Sequence, residues 1–320
     1  MRKTINNASV IGRIYDHDLV IKTVQKQGPN FGKSFIRGKL EIATDDEGLN
    51  IVPVYYTYES ENYSSGKKNR TYDVLKSIVD GQVKKVIDVG FENATLIKCD
   101  TSVDINDFYV SEGGAEPRLV SAKRLGGGFA TIISKDKMPS NPLKRNTFDC
   151  DMLITNTTLV ESEDNDVADY LRVKGVVFNF AGAIIPVEFI CRNEGGIKYF
   201  ESLDTSAENP TFTKVWGNIN SQTIVEKNEE ESAFGEVLVT ERTKNVREWV
   251  IVGASPNTYP IDDDKAGITT EEFKSKVADR DVRLAEVKKN WEDYQKAQGE
   301  DLPFGNVAAA APAAAGGFNF

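Results

Sequence analysis

The chain has 320 residues, 40% of them hydrophobic, which is enough for two soluble globular domains with separate cores. Its three cysteines, Cys99, Cys150 and Cys191, lie far apart in the sequence. This spacing argues against a disulfide framework and against a clustered zinc site. The formal net charge of −10 argues weakly against nucleic-acid binding, because contacts to a phosphate backbone require cations.

The charge is distributed unevenly along the chain. Residues 1–150 contain 22 Lys+Arg against 19 Asp+Glu, whereas residues 151–320 contain 17 against 30. For nucleic-acid binding, the local electrostatic potential on one face of the protein therefore matters more than the total charge. Residues 1–9 are polar, and no apolar run approaches the roughly 20 residues of a membrane span, so we expect a cytoplasmic protein.

The first half of the chain predicts a β-rich unit with one helix. After an exposed loop at 59–70, Thr71 is expected to cap a short helix that stops at Gly81. Gly126-Gly127-Gly128 is expected to be a flexible turn between two strands. The predicted strands are 8–15, 19–24, 35–43, 51–58, 83–89, 94–99, 107–110, 118–125 and 129–134.

Two of these strands, 35–43 and 51–58, alternate around a polar turn and predict a β-hairpin with one apolar face. The other face carries Phe35, Arg37 and Lys39, and Tyr55 on the facing strand extends it. Single-stranded nucleic acid binds to this combination, in which cations follow the backbone and aromatic rings stack on bases.

A similar hairpin is predicted at 170–191, where Lys174-Gly175 takes the place of Arg37-Gly38. Arg172, Lys174, Phe178 and Phe180 are expected to point outward, with Phe212 and Trp216 as further candidates on a later strand. Aromatic residues are common in strands, and surface cations are usually only solvated. The repetition on two hairpins nevertheless favours nucleic-acid binding. The candidate contact residues are Arg13, Lys33, Phe35, Arg37, Lys39, Tyr55, Tyr63, Lys67, Lys68, Arg70, Arg172, Lys174, Phe178 and Trp216.

The second half begins after a basic, proline-containing linker, which we place at 139–146. Its predicted strands are 147–155, 170–180, 184–191, 212–219, 235–240 and 248–253. A capping box with Thr269 or Thr270 opens a helix to about residue 298, whose apolar stripe is broken only by Arg280. We expect the stripe to lie on the second domain, with a coiled-coil or partner contact as the alternative. Residues 299–320 are rich in Ala, Pro and Gly and are expected to be disordered alone.

Catalytic and metal-binding patterns are poorly represented. The only histidine, His17, lies between two aspartates in a predicted turn, where a structural or solvated role is the common one. No phosphate-binding glycine loop occurs. Asp262-Asp263-Asp264 is interpreted as a solvated linker, since three adjacent carboxylates do not converge on one ion. We therefore expect no catalytic residue, no metal, no cofactor and no enzymatic activity.

Several short segments resemble the twin oligonucleotide-binding-fold single-stranded DNA-binding proteins of tailed bacteriophages. The resemblance lies in Val10-Ile11-Gly12-Arg13-Ile14-Tyr15-Asp16-His17, Phe35-Ile36-Arg37-Gly38, residues 170–187, Val215-Trp216-Gly217-Asn218-Ile219 and Ala233-Phe234-Gly235. It implies a mainly β (α+β) protein of two tandem five-stranded oligonucleotide-binding barrels. The expected boundaries are 1–138 for the first barrel, 139–146 for the linker, 147–260 for the second barrel, 261–298 for the helix region and 299–320 for the tail.

The resemblance also implies that the protein coats and protects single-stranded DNA during phage replication or recombination, in the host cytoplasm if it is phage-encoded. Replication or recombination proteins would be recruited through the C-terminal tail, where Asp301, Pro303 and Phe304 resemble the acidic Pro-Phe tip of bacterial relatives and Phe318 and Phe320 lie near the terminus. Phe304 is followed by 16 residues here, so a passive tether is the alternative. The alternative functions are a β-rich phage structural or assembly protein acting through protein contacts, and an RNA-binding or replication-accessory protein with the same folds.

Overall fold

The computed structural model describes residues 3–111, 116–161, 169–230 and 238–300, which form a mainly β structure. The strands are β1 Asn6–His17, β2 Val20–Thr23, β3 Ser34–Ala43, β4 Ile51–Ser60, β5 Leu96–Val110, β6 Arg118–Ile132, β7 Asn146–Val160, β8 Tyr170–Phe178, β9 Ile184–Cys191, β10 Thr211–Glu230, β11 Leu238–Ala254 and β12 Tyr259–Pro260. The helices are α1 Arg70–Val79, α2 Val86–Val89, α3 Glu194–Glu201 and α4 Thr270–Glu300.

Five strands of the first half pair in a closed cycle, which we call the first ring. β1 pairs with β3, β3 with β4, β5 with β6 and β5 with β1, all antiparallel. The parallel pairing of Val54 and Tyr55 in β4 with Leu125 and Gly126 in β6 closes the cycle. Helix α1 lies in sequence between the third and fourth strands of this ring.

The second half repeats the same pairing order, and we call this cycle the second ring. β7 pairs with β8, β8 with β9, and β10 with both β11 and β7, all antiparallel. A short parallel pairing of β9 with β11 closes this ring too. β1 and β7 pair antiparallel from Asn6↔Cys150 to Val10↔Asn146, so the rings share one continuous sheet.

The predicted β3–β4 hairpin is confirmed, and its alternation explains how it packs. Ile36, Leu40 and Ile42 of β3 are fully buried in the main core, because side chains of a strand point alternately to opposite faces. The glycine common to both hairpins lies where another chain segment approaches closely. A Cβ on Gly38 would lie 2.7 Å from the carbonyl oxygen of Asp18, and one on Gly175 would lie 2.2 Å from that of Leu153.

Several strands are longer than the sequence pattern predicts. β5 and β6 each join two predicted strands, and the expected turn at Gly126-Gly127-Gly128 lies inside β6. The ladder shifts register at this point, between Asp100 and Ser102 of β5. Glycine permits this bulge because Gly127 and Gly128 have φ of 62° and 101°. The described part of the predicted strand at 235–240 and the predicted strand at 248–253 likewise belong to one strand, β11, whereas residues 235–237 lie outside the described residues.

The helix predictions need three corrections. Asn69, not Thr71, caps α1, because its side chain accepts a hydrogen bond from the Thr71 N–H. Residues 83–89, expected as a strand, contain α2 instead. Helix α3 was not predicted, although Asn193 caps it by accepting from the Gly196 N–H. Short helices of this kind carry too few residues to show a helical period.

Helix α4 begins as predicted and resolves the choice between Thr269 and Thr270. Thr269 N–H donates to the Glu272 carboxylate at 3.1 Å, while Glu272 N–H donates back to Thr269 Oγ1 at 3.2 Å. This reciprocal pair is a capping box. Phe273 packs on a small core cluster of the second ring.

Further along, α4 also contacts the first ring, which the sequence did not predict. Arg280 and Arg283 form ion pairs with Asp107 of β5 at 2.8 and 2.9 Å, and the Trp291 ring lies 6.3 Å from that of Tyr109. The pair with Asp107 gives Arg280, which breaks the apolar stripe, a structural role. Over the described ranges, no helix is long and apolar enough to cross a membrane.

The Asp107 contact generates a prediction for α4. The Asp107 side chain is only 4% exposed, so Asp107→Asn leaves two arginines without their carboxylate and lowers the free energy of unfolding by about 3 kcal/mol. Urea denaturation measures this loss, and amide hydrogen exchange should become faster in α4. Asp80→Asn, which removes the exposed Lys76–Asp80 pair of α1, is the control and should change little. Equal effects of the two substitutions would contradict the prediction.

Candidate nucleic-acid interface

The outward face of the β3–β4 hairpin brings aromatic and basic side chains together. Phe35 stacks on Tyr58, with ring centroids 4.7 Å apart and an interplanar angle of 29°. Lys39 lies directly across from Tyr55 in the ladder, and Arg37 is exposed between these two groups. We call these five residues the β3–β4 outer face.

Tyr58 was missed by the sequence reasoning, although it lies in a predicted strand and is 42% exposed. Its stacking on Phe35 depends on the register of the hairpin, which shifts between Ile36 and Gly38. Simple alternation from Tyr55 does not predict this shift. Aligning β3 with β4 residue by residue across the predicted turn is the step that would have brought Tyr58 close to Phe35.

The charges of the β3–β4 outer face are only partly compensated. Lys39 forms an ion pair with Glu41 at 2.6 Å, whereas the Arg37 side chain extends into solvent. Burial raises the pKa of Tyr55 to about 12, so its phenol is neutral and can act as a stacking ring or a hydrogen-bond donor.

The basic loop after β4 is exposed as expected. Tyr63 is 42% exposed, and Lys68 forms an ion pair with Asp73 of α1 at 3.2 Å. Lys67 and Arg70 are exposed as well, as is Lys33, whose Nζ donates to Asn30 Oδ1 at 3.1 Å. Their placement leaves all of these side chains accessible to a ligand.

Arg13 lies in the interior, contrary to the exposure that a DNA contact requires. Its guanidinium donates to the carbonyl oxygens of Glu92 and Ala94 at 3.0 and 3.3 Å, and pairs with the Glu92 carboxylate at 3.2 Å. It also lies over the Phe91 ring, 4.7 Å from the centroid. Arg13 therefore fixes the segment before β5 against β1 and is not part of the candidate interface.

The second hairpin has a more balanced charge than the first. Arg172 and Lys174 both pair with Glu188 of β9, at 3.7 and 3.4 Å. Phe178 was expected to point outward, but it is 1% exposed and belongs to a core cluster. Phe180, two residues later in the turn, is 99% exposed.

Trp216 lies apart from both hairpins. It is 40% exposed and lies in a groove with Leu143 and Val252. Its ring lies against Gly253, where a Cβ would come within 2.5 Å of the indole. The structure thus brings Phe35, Arg37, Lys39 and Tyr55 together and leaves Trp216 on a separate surface. The tail candidates Asp301, Pro303, Phe304, Phe318 and Phe320 lie outside the described residues.

A cleft between the two rings continues the β3–β4 outer face from Tyr55, and we call it the inter-ring cleft. It has a volume of about 300 Å³. Strands β4, β5 and β6 of the first ring and β10 and β11 of the second line it. Sequence reasoning missed it, because its walls come from strands far apart in the chain. Its lining includes Tyr55, Phe108, Lys123, Arg124, Arg247 and Trp249.

Lys123 of β6 is a partly buried cation in this cleft. Its Nζ donates to the backbone oxygen of Glu188 in β9 and lies 5.7 Å from the ring centroids of Phe189 and Trp249. Burial lowers the pKa of Lys123 from 10.5 to about 8, although the charge of Glu188 opposes this shift. A lysine in such surroundings costs folding free energy whenever it is protonated.

The described part of the chain offers little catalytic chemistry. It contains no group of three His, Cys, Asp or Glu side chains placed to hold a metal ion. Cys99, Cys150 and Cys191 are buried and free, and burial raises the pKa of Cys99 to about 12. Such thiols remain protonated and unreactive.

Comparison with known proteins identifies a family. The family model described as YorF matches residues 4–290. The chain belongs to the YorF family. No curated protein was found to match the sequence.

Among solved structures, this YorF-family chain is similar to a deletion mutant of the single-stranded DNA binding protein from Thermus aquaticus. The TM-score is 0.43 and the sequence identity 11%, with 79% of this chain and 94% of that chain covered.

The partly buried Lys123 leads to a prediction about pH. Its pKa lies near 8 in the folded protein and at 10.5 in the unfolded chain, so between these values the unfolded chain binds one more proton and folding stability rises with pH. Lys123→Met removes this dependence. The stability of the variant relative to wild type should therefore be greatest below pH about 8 and decline towards pH 10.5, as measured by urea denaturation across that range. A constant difference would mean that folding does not lower the pKa of Lys123.

Proposed function

We propose that the protein is a single-stranded DNA-binding protein whose rings are two tandem oligonucleotide-binding barrels, at residues 1–138 and 147–260. The pairing order supports the barrels, because the oligonucleotide-binding fold is a five-stranded Greek-key barrel that binds its ligand on the face of its second and third strands. In the two rings those strands are β3–β4 and β8–β9. These are the hairpins on which the sequence places aromatic and basic residues.

The observation that carries the proposal is the Phe35–Tyr58 stack beside the exposed Arg37. Single strands are bound by base stacking on aromatic rings and by cations along the phosphate backbone. Neither contact reads base identity, so the protein binds with little sequence preference. The negative net charge of the whole chain is compatible with this function, because the phosphates of a bound strand interact mainly with the local electrostatic potential of the face that they contact.

The first hairpin is the stronger candidate for the primary contact. Its outer face exposes Arg37, whereas Arg172 and Lys174 on the second hairpin share one carboxylate. The loop with Lys67 and Lys68 lies directly after β4 and adds positive charge close to the first hairpin in the sequence. In this arrangement the bound DNA strand continues from the first hairpin to the second hairpin.

The sequence resemblance supports a role in phage DNA replication or recombination in the host cytoplasm. We propose that the protein acts by coating the strand and that it is not an enzyme. Replication or recombination proteins are proposed to bind the tail, at Asp301, Pro303, Phe304, Phe318 and Phe320.

A second candidate function is assembly through protein contacts. Phe129 and Phe180, which are 64% and 99% exposed, line one groove over the junction of β1 and β7. Exposed apolar side chains around a groove are typical of protein interfaces. Size measurement separates the candidates, because an assembly protein forms large particles that are indifferent to oligo-dT.

Charge reversal at Arg37 tests the proposed function. Fluorescence anisotropy of a labelled oligo-dT, measured over a series of salt concentrations, should show weaker binding by Arg37→Glu and a salt slope reduced by about 1. Lys198→Glu on the exposed surface of α3 makes the same charge change away from the hairpin and is the control. If both variants bind like the wild type, the β3–β4 outer face is not the contact. If the wild type fails to bind even at low salt, the proposed function is wrong.

Removal of one aromatic side chain gives a second test of the proposed function, whose result does not depend on salt. Tyr58→Ala should cost about 1–3 kcal/mol of binding free energy, the value of one base stacked on an aromatic ring. The cost should persist at high salt, because it involves no counterion release. Tyr294→Ala on α4, a tyrosine of similar exposure, is the matched control. A loss that disappears with added salt would contradict a stacking role.

A further inference from the structure

The inter-ring cleft has the size and composition of a site for one small aromatic ligand. Its volume of about 300 Å³ is at the lower end of the range for ligand pockets, which are mostly apolar with a few placed polar groups. Tyr55, Phe108 and Trp249 supply rings from three different strands. Such a cleft has room for a single nucleoside and not for a stacked run of bases.

The side chains of Lys123, Arg124 and Arg247 lie around these aromatic side chains. Arg124 is held by Asp104 at 2.8 Å and lies over the Tyr55 ring, 6.0 Å from its centroid. Arg247, from the second ring, is exposed where it lines the cleft and interacts electrostatically with Tyr55. Aromatic rings with cations around them match the chemistry of a nucleotide, which combines a π-face with a phosphate.

Lys123 is the group that points most directly to a ligand. In the residues that the structure describes, it forms no ion pair, and its hydrogen bond goes to the Glu188 carbonyl oxygen. An ammonium group has three N–H donors, so two donors remain for a ligand that enters the cleft. A partly buried ammonium group without a carboxylate in contact costs folding free energy, and costs of this kind are typical of functional sites.

We propose that the inter-ring cleft binds one unstacked nucleotide of the bound DNA strand, and this inference rests on the proposed function. The base lies against the rings of Tyr55 and Phe108. Lys123 donates to a hydrogen-bond acceptor of the base, which every base offers, and Arg247 contacts the adjoining phosphate. The β3–β4 outer face leads directly to this position, because Tyr55 belongs to both surfaces.

Trp249 reports on the cleft in the full-length protein. The chain has three tryptophans, so the double variant Trp216→Phe, Trp291→Phe keeps Trp249 alone. Unlabelled oligo-dT should quench its fluorescence with the same midpoint that anisotropy gives for a labelled oligo-dT on this variant. If anisotropy reports binding while Trp249 emission stays constant, the cleft inference is overturned and the proposed function stands. If neither signal changes and the wild type also fails to bind, the proposed function itself has failed.

Lys123→Met separates a ligand-binding lysine from a structural one. We expect affinity for oligo-dT to fall about tenfold, the value of one hydrogen bond to a charged group, while stability below pH about 8 is at least that of the wild type. Lys98→Met, which removes a half-exposed cation paired with Asp100, is the charge-matched control and should bind like the wild type. A variant with reduced stability and unchanged affinity would show that Lys123 serves the fold.

Discussion

The pairing of β1 with three different strands is the constraint on which the arrangement of the two rings depends. The first residues of β1 pair with β7, the middle of β1 pairs with β5, and the end of β1 pairs with β3. Asn6 reinforces this junction, since its side-chain amide donates to the backbone oxygens of Val103 and Phe178, one from each ring. These bonds connect the two rings at the β1–β7 ladder.

The strand pattern and the candidate face could be predicted from the sequence, whereas the cleft could not. Alternation at Phe35, Arg37 and Lys39 is a local property, and the hairpin has the expected faces. Arg13 and Phe178 satisfy the same local pattern and yet are buried. Their burial depends on Phe91 and on the second core cluster, and these contacts come from outside the strand that carries each residue.

The same limit explains the errors in strand length. β5 and β6 continue through segments that are locally unfavourable to strands, including three consecutive glycines. They do so because the two strands pair with each other over most of their length. Tertiary pairing overrides local propensity in such a case. The capping box of α4 was predictable for the opposite reason, since Thr269 and Glu272 satisfy each other within one turn.

Strand alternation in β5 connects the C-terminal helix to the inter-ring cleft. Asn106 and Phe108 line the cleft, whereas Asp107 and Tyr109 contact α4. Consecutive side chains of a strand point to opposite faces, so one short segment separates the helix from the cleft. The ion pairs of Asp107 with α4 therefore hold the backbone that positions Phe108. Helix α4, which packs on the second ring through Phe273, thus supports a cleft wall that belongs to the first.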